Sequence, residues 1–174
     1  MYKKMILGLT ILSISGCTPK TTVVPQVISQ PIVTQQIVVR KALLDTIREF
    51  EKTYEIGLNI QLPNSVKMGK FVNLMATPSV DGYLKLVVIN PNDKASTVLP
   101  NRYDSGFIRA NSTLNTDHKD FGIQTFPPKG LHHILVLFSE KKTHSNDAIL
   151  STLQNVQNGE YGRAYVKLFA IDIY

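Results

Sequence analysis

The sequence predicts a mainly β protein: an antiparallel, immunoglobulin-like β-sandwich, with an N-terminal amphipathic helix and one further helix before its last strand. Three observations support this fold class. Tyr83 to Ile89 is an almost unbroken apolar and β-branched run, which favours a strand covered on both faces. Shorter segments of this kind recur along residues 57–174, separated by turn residues, as in a sandwich. Two other segments have helical periodicity.

The predicted sandwich is organised around a hairpin. The turn residues Asn90 to Asp93 follow the Tyr83 strand, and a return strand is expected over Ala95 to Leu99. That strand ends at Pro100, which has no N–H to donate to a sheet. A polar loop, Asn101 to Asp104, comes next.

The remaining strands are predicted where apolar side chains alternate or run between turn signals. They are Leu58 to Leu62, Phe71 to Thr77, Phe107 to Arg109, Phe121 to Phe126, His133 to Ser139 and Arg163 to Tyr174. The last of these is largely apolar on both faces, which predicts an interior strand. Ahead of it, Ser145 or Asn146 is expected to cap a helix, with Asp147 in its first turn and Gly159 at its end.

An amphipathic helix is predicted over residues 40–56. Leu43, Ile47, Phe50 and Tyr54 fall at helical spacing among charged residues, and Gly57 is a plausible stop. The apolar face of such a helix most often packs on its own domain. A face that contacts a partner protein is the alternative interpretation.

The first residues have the pattern of an export signal. Residues 1–16 contain Lys3 and Lys4, then an apolar run that is too short to cross a bilayer, then small residues. Ile14 to Cys17 resembles the lipobox of bacterial lipoproteins. The resemblance implies cleavage before Cys17 and covalent lipid on its thiol and new amine, which would anchor the chain stably. Because Thr18 rather than Asp follows, it also implies the outer membrane. It leaves the orientation open, and the leading hypothesis has the domain face the periplasm. No other cofactor is expected.

Residues 17–39 are predicted to be an extended, lipidated tether. This segment contains three prolines and one charge and has no helical period, which is typical of a spacer. It is richer in Val and Ile than most linkers. The alternative is therefore that Ile32 to Val39 adds as a strand to an exposed sheet edge, either its own or a partner's.

The composition argues against several function classes. The formal charge of +6 falls to +4 without Lys3 and Lys4, and the basic residues are scattered, so nucleic-acid binding is not expected. Cys17 is the single cysteine, which excludes an intrachain disulfide. No G-x-S-x-G elbow, paired carboxylates or Gly-rich phosphate loop is present, and we expect no enzymatic activity. The sequence also lacks metal-ligand spacings. The acids and histidines considered for a metal were Asp117, His118, Asp120, His132, His133 and His144.

Residues 57–140 resemble a bacterial domain of unknown function, number 4384. The segments that carry the resemblance are Gly82 to Leu84, Asn90-Pro91, Leu99 to Tyr103, Ile108 to Ala110 and Pro128 to Gly130. Two glycines that are usual in the family are replaced here by Lys94 and Asn111. The resemblance implies a β-rich, non-enzymatic accessory module.

These observations together predict a non-catalytic outer-membrane lipoprotein that docks another protein of the envelope or of a secretion system. The loop residues Asn101, Arg102 and Tyr103 are the candidate partner-binding site, because a guanidinium beside an aromatic ring can recognise a carboxylate. In the competing interpretation Asn101 supports a turn, Tyr103 packs on the sandwich and Arg102 is solvated. The alternative functions are a peptidoglycan- or glycan-binding domain, with or without hydrolytic activity and dependent on Arg102, Asp104 or Asp120, and a surface-exposed, host-facing factor.

Overall fold

The computed structural model of the chain describes residues 43–51, 56–118, 122–144 and 148–174. All of these belong to one unit of the chain, Pro31–Tyr174. The predicted signal segment, Cys17 and the tether lie outside the described residues. Among the described residues, no helix is long and apolar enough to cross a bilayer.

The described chain contains eleven strands of two to ten residues, with one helix before them and two helical segments between them. The strands are β1 Leu58–Gln61, β2 Ser65–Val66, β3 Phe71–Val72, β4 Met75–Pro78, β5 Gly82–Ile89, β6 Ala95–Leu99, β7 Phe107–Ile108, β8 Leu114–Asn115, β9 Ile123–Gln124, β10 Gly130–Ser139 and β11 Ala164–Ile173. Residues 43–50 form helix α1, Thr116–His118 a 3₁₀ turn and Ile149–Gln157 helix α2.

One large sheet forms the middle of the molecule. Its strand order is β2-β11-β10-β5-β6, and β7 also pairs with β5. A second layer consists of two small sheets, β1-β4-β8 and β3-β9. All pairs are antiparallel except the short contact of β11 with β2, which is parallel. The predicted mainly β fold with sandwiched sheets is therefore confirmed, with one parallel pair that the sequence did not indicate.

The main hydrophobic core lies between the large sheet and the second layer. Leu84 and Leu86 of β5 and Val136 and Phe138 of β10 contribute from the large sheet, and the small sheets supply apolar side chains that include Ala76 of β4. Leu84, Leu86, Val136 and Phe138 are almost completely buried. Alternation along each strand directs these residues to one face, and this face defines the sandwich.

A second core lies on the other face of the large sheet and is covered by helices. Val87 of β5 and Leu137 of β10 pack with Ile47 of α1 and with Leu153 and Val156 of α2. Ile47 is fully buried. Helix α1 thus packs on its own domain, as the simpler interpretation of the amphipathic pattern predicted.

The hairpin prediction is confirmed, whereas β10 begins at Gly130, three residues before the predicted start. Two other predicted strands are also wrong in extent. Residues 71–77 do not form one strand, because the chain passes from β3 in one small sheet to β4 in the other at Leu74. The Leu74 N–H donates to Thr116 Oγ1 at 3.0 Å rather than to a neighbouring strand. The strand predicted over Phe121 to Phe126 is only the two residues of β9, and residues 119–121 lie outside the described ranges.

The last helix and the last strand also differ from prediction. Helix α2 begins at Ile149 with Ala148 as its N-cap, and its first turn contains no acidic residue. The proposed caps, at 145 and 146, and Asp147 lie outside the described residues. Gly159 follows the helix at φ 74°, as expected. Strand β11 pairs with β10 along its whole length, whereas on its other side β2 pairs only with Asp172 and Ile173, so among the described residues most of that side has no strand partner.

Asn111 occupies a left-handed backbone conformation, with φ 60°. Its N–H donates to Pro78 O at 2.7 Å, which fixes the loop after β7 against the end of β4. Asn tolerates this conformation better than other residues with a Cβ. The position is one of the two at which the resembled family usually has glycine, and the positive φ gives the physical reason.

We predict that Asn111→Gly leaves the free energy of unfolding within about 0.5 kcal/mol of wild type, whereas Asn111→Val lowers it by about 1–2 kcal/mol. The side chain is exposed, so lost packing does not confuse the comparison. Urea denaturation followed by circular dichroism measures both values. Equal stability of the two variants would contradict the backbone explanation.

Glu140 and Arg163 join the end of β10 to the start of β11. Glu140 Oε1 accepts from Arg163 Nη2 at 2.7 Å and from Nε at 2.9 Å, and Oε2 accepts from the Arg163 backbone N–H at 2.9 Å. The side-chain hydrogen bond from Arg163 is the largest cause that lowers the pKa of Glu140, followed by the backbone one.

Because the folded-state pKa of Glu140 is depressed, the contribution of this pair is fully present above the pKa of the unfolded carboxyl. It is lost as the pH falls through the folded-state pKa. An NMR titration of the Glu140 carboxyl carbon should therefore give a pKa below the ordinary value, and Arg163→Ala should return it towards that value. Arg109→Ala, another exposed arginine, is the control and should not move it. An unchanged pKa in Arg163→Ala would refute the assignment.

Candidate functional site

The candidate site is an open cleft of about 810 Å³ beside the end of β6. We call it the loop cleft. One wall is the loop of residues 100–105, which contains the predicted Asn101, Arg102 and Tyr103, and the other is the segment 142–144 that follows β10. The two walls come from parts of the sequence about 40 residues apart, so the sheet has to bring them together.

Asn101 shapes the first wall. Its Oδ1 accepts from the N–H groups of Tyr103 at 2.8 Å and Asp104 at 2.9 Å, and its Nδ2 donates to Val98 O at 2.9 Å. Asp104 continues the turn by accepting from the Gly106 N–H at 2.7 Å. Asn and Asp commonly hold turns by bonding to backbone groups a few residues on. Asn101 is therefore a supporting residue, as the competing interpretation of the motif predicted.

Gly106 attaches this wall to the sheet. Its carbonyl accepts from the Leu84 N–H of β5 at 2.8 Å, and its φ is 77°. A Cβ at this position would lie 2.2 Å from Leu84 O. Only glycine allows so close a backbone approach, so the position of the whole loop depends on this residue.

Arg102 and Tyr103 form a stacked pair at the rim. The guanidinium carbon lies 4.5 Å from the centroid of the Tyr103 ring, and Arg102 Nη2 donates to the Tyr103 hydroxyl. Tyr103 is 61% exposed, so the suggestion that it packs on the sandwich is wrong. Cation–π stacking of this kind contributes about 0.5–1 kcal/mol at exposed sites. The stacking and the hydrogen bond together restrict where the guanidinium can lie.

Lys85 of β5 secures the second wall. It is buried, and its Nζ donates to His144 O at 2.9 Å and to Thr152 Oγ1 of α2 at 3.2 Å. The side chains of Lys142 and His144 are exposed and line the cleft. From the sequence, His144 was considered only as a metal ligand, and Lys85 and Lys142 were not singled out, since a lysine within an apolar strand and one in a loop far along the chain resemble no motif.

The charges in the loop cleft favour an anionic ligand. Arg102 and Lys142 bring positive charge to its two walls, while Asp104, the acid on its lining, is engaged with the Gly106 N–H. A planar guanidinium matches a carboxylate through two parallel hydrogen bonds. The arrangement can therefore bind a carboxylate-bearing group.

The structure describes only some of the other residues that were considered for metal binding or catalysis. Cys17 and Asp120 lie outside the described residues, as does the side chain of His118. His132 and His133 are buried on opposite faces of β10, as expected for neighbours on a strand. Within the described ranges, no group of three His, Cys, Asp or Glu side chains is placed to hold a metal ion.

We predict that Gly106→Ala lowers the free energy of unfolding by at least about 2 kcal/mol, because the new methyl group adds a backbone clash to the cost of a positive φ. Gly69→Ala is the matched control. Its φ is 82° and a Cβ there would meet nothing within 4 Å, so it should cost only about 1 kcal/mol. Urea denaturation measures both, and equal losses would contradict the close approach.

Comparison with solved structures gives distant similarities. The chain is similar to a superoxide reductase (neelaredoxin) from Ignicoccus hospitalis at 7% identity and a TM-score of 0.37, covering 68% of this chain and 82% of that one. It is similar to an aggregative adherence fimbriae structure from enteroaggregative Escherichia coli at 12% identity and a TM-score of 0.37, covering 67% of this chain and 97% of that one. It is also similar to the sulfur carrier protein SoxY from Chlorobium limicola f thiosulfatophilum at 11% identity and a TM-score of 0.34, covering 78% of this chain and 98% of that one.

No curated protein matches the sequence closely enough to indicate a relationship. Comparison with protein families gives a clear result for the middle of the chain. Residues 65–142 match the domain of unknown function DUF4384. This range runs from β2 through β10 and includes both walls of the loop cleft as far as Lys142. The chain therefore carries a DUF4384 domain at residues 65–142.

Proposed function

We propose that this chain is a non-catalytic lipoprotein, anchored to the outer membrane through Cys17, and that its β domain docks an acidic segment of another envelope or secretion-system protein in the loop cleft. The observation that carries the docking proposal is the stacked Arg102–Tyr103 pair at the rim, with the guanidinium 4.5 Å from the ring centroid. The anchor rests on the lipobox-like residues 14–17 of the sequence.

Arginine and tyrosine are enriched among the residues that dominate protein–protein binding energies. The stack reduces the conformational freedom that Arg102 would lose on binding, which lowers the cost of ordering it. Lys142 on the opposite wall adds a second positive charge. A partner segment with one carboxylate near Arg102 and a second acid within reach of Lys142 would match both walls.

A glycan or peptidoglycan ligand is the second candidate. The observation that favours it is the combination of a wide, polar cleft with an exposed tyrosine ring, because sugars can stack on aromatic faces while their hydroxyls bond to polar walls. The wall peptides also carry carboxylates. Binding to purified peptidoglycan in place of a protein partner would favour this candidate, and protease accessibility on intact cells would reveal a surface-exposed, host-facing orientation.

The test is crosslinking in envelopes of the native host. Wild type is expected to fractionate with the outer membrane and to capture a reproducible protein partner. Arg102→Ala should lower partner recovery at least about tenfold, as for a residue that dominates an interface, while Cys17→Ala should release the chain from the membrane.

Arg109→Ala is the control for the loop cleft, since Arg109 is also exposed but does not line it. Equal partner recovery by the Arg102 and Arg109 variants would overturn docking at this cleft. Membrane association of Cys17→Ala equal to wild type would overturn the anchor.

A further inference from the structure

A second cavity, separate from the loop cleft, lies inside the sandwich. It has a volume of about 360 Å³ and lies between the large sheet and the β3-β9 pair. We call it the sandwich cleft. Its walls are mainly aliphatic, and they include Val72, Val88, Val98, Ile123, Ile134 and Ile171. Binding cavities for small ligands commonly have volumes of about 300–1,000 Å³, apolar walls and a few placed polar groups.

His132 and Thr125 are the buried polar side chains within these walls, and the Thr125 hydroxyl already bonds to the carbonyls of Lys67 and Lys70. His132 is only 4% exposed, and its Nδ1 lies 2.9 Å from Gly130 O. A carbonyl oxygen can only accept, so Nδ1 must carry the hydrogen, and Nε2 of the neutral ring is then an acceptor. No hydrogen bond from the described residues reaches Nε2. The buried part of the cleft therefore offers His132 Nε2 as a hydrogen-bond acceptor, and the exposed side chains of Ser96 and Gln124 add polar groups to its lining.

The exposed lining residues Lys94 and Phe126 indicate where the sandwich cleft opens to solvent, and Asn90 of the hairpin turn also lines it. Asn90 Oδ1 is occupied by the N–H groups of Asn92 and Lys94, so it holds the turn. Phe126 borders the cleft and is 64% exposed. An exposed aromatic ring at the entrance favours a ligand that is itself aromatic, because rings pack in offset or edge-to-face arrangements.

We propose that the sandwich cleft binds a planar apolar ring with one hydrogen-bond donor, a phenol or an indole, whose O–H or N–H donates to His132 Nε2. The space between two sheets has flat walls, which suits a planar ring better than a branched group. An apolar cavity of about 150 Å³ holds benzene, so the volume here is sufficient. This proposal does not depend on the function assigned to the loop cleft.

The test compares 4-methylphenol with toluene, which has the same ring and methyl group but no donor. Titration of the full chain, followed by NMR of the cleft residues and of His132 Nε2, should give 4-methylphenol a Kd about three- to tenfold lower, the value of one net hydrogen bond. In His132→Leu the ratio of the toluene Kd to the 4-methylphenol Kd should fall to one or below. His133→Leu, a change at the next residue but on the opposite face of β10, should preserve the ratio.

Val98→Phe provides a second variant if His132→Leu does not fold. It narrows the cleft from β6 and should weaken binding of both rings at least about tenfold without touching His132. The blocked peptide Gly-Tyr-Gly distinguishes the source of the ring. If the peptide binds as 4-methylphenol does, a partner's side chain can supply the ring, and if only the free phenol binds, the ligand is a small molecule. Equal Kd values for 4-methylphenol and toluene in wild type, or shifts outside the cleft, would overturn the proposal.

Discussion

Strand β10 must be covered on both of its faces, and much of the architecture follows from this requirement. Its five consecutive residues from Ile134 to Phe138 are each no more than 3% exposed. Burial of five such side chains is worth on the order of 10 kcal/mol, comparable with the whole net stability of a domain. Alternate residues of β10 point to opposite faces. One face can be covered by the small sheets, but the other has to be covered by α1 and α2.

The same large sheet positions both walls of the loop cleft through two adjacent residues of β5. The backbone N–H of Leu84 bonds to Gly106 behind the Arg102 wall, and the side chain of Lys85 bonds to His144 O in the opposite wall. The backbone N–H groups of a strand point along the plane of the sheet, whereas its side chains project from the two faces. Neighbouring residues can therefore bond to two different segments. The buried lysine also bonds to Thr152 of α2, and a desolvated charge of this kind requires such partners. The helical layer is thereby linked to the cleft.

The sequence was sufficient for the elements whose signal is local. The β5–β6 hairpin and β10 were predictable because an apolar run and its turn residues lie side by side in the chain. The break at Leu74 was not, since its N–H is satisfied by Thr116, 42 residues away. Two-residue strands such as β2 are likewise fixed by their partners rather than by their own residues. At the loop cleft, the wall of residues 101–103 could be predicted because it contains a recognisable motif. The position of the opposite wall, with Lys142 and His144, depends on the register of β10 with β5.

Strand β6 explains how two clefts of opposite character can lie so close together. It forms one end of the strand order of the large sheet, and its side chains alternate between the two sites. Ser96 and Val98 line the sandwich cleft, whereas Thr97 lines the loop cleft. Because successive residues of a strand face opposite ways, a five-residue strand can contribute to an apolar cavity and a charged one without mixing their chemistry. Its small and polar residues, Ala95 to Thr97, are exposed, whereas Leu99 at its end is fully buried in the main core, so the first part of the strand is free to serve the clefts while its end is fixed by packing.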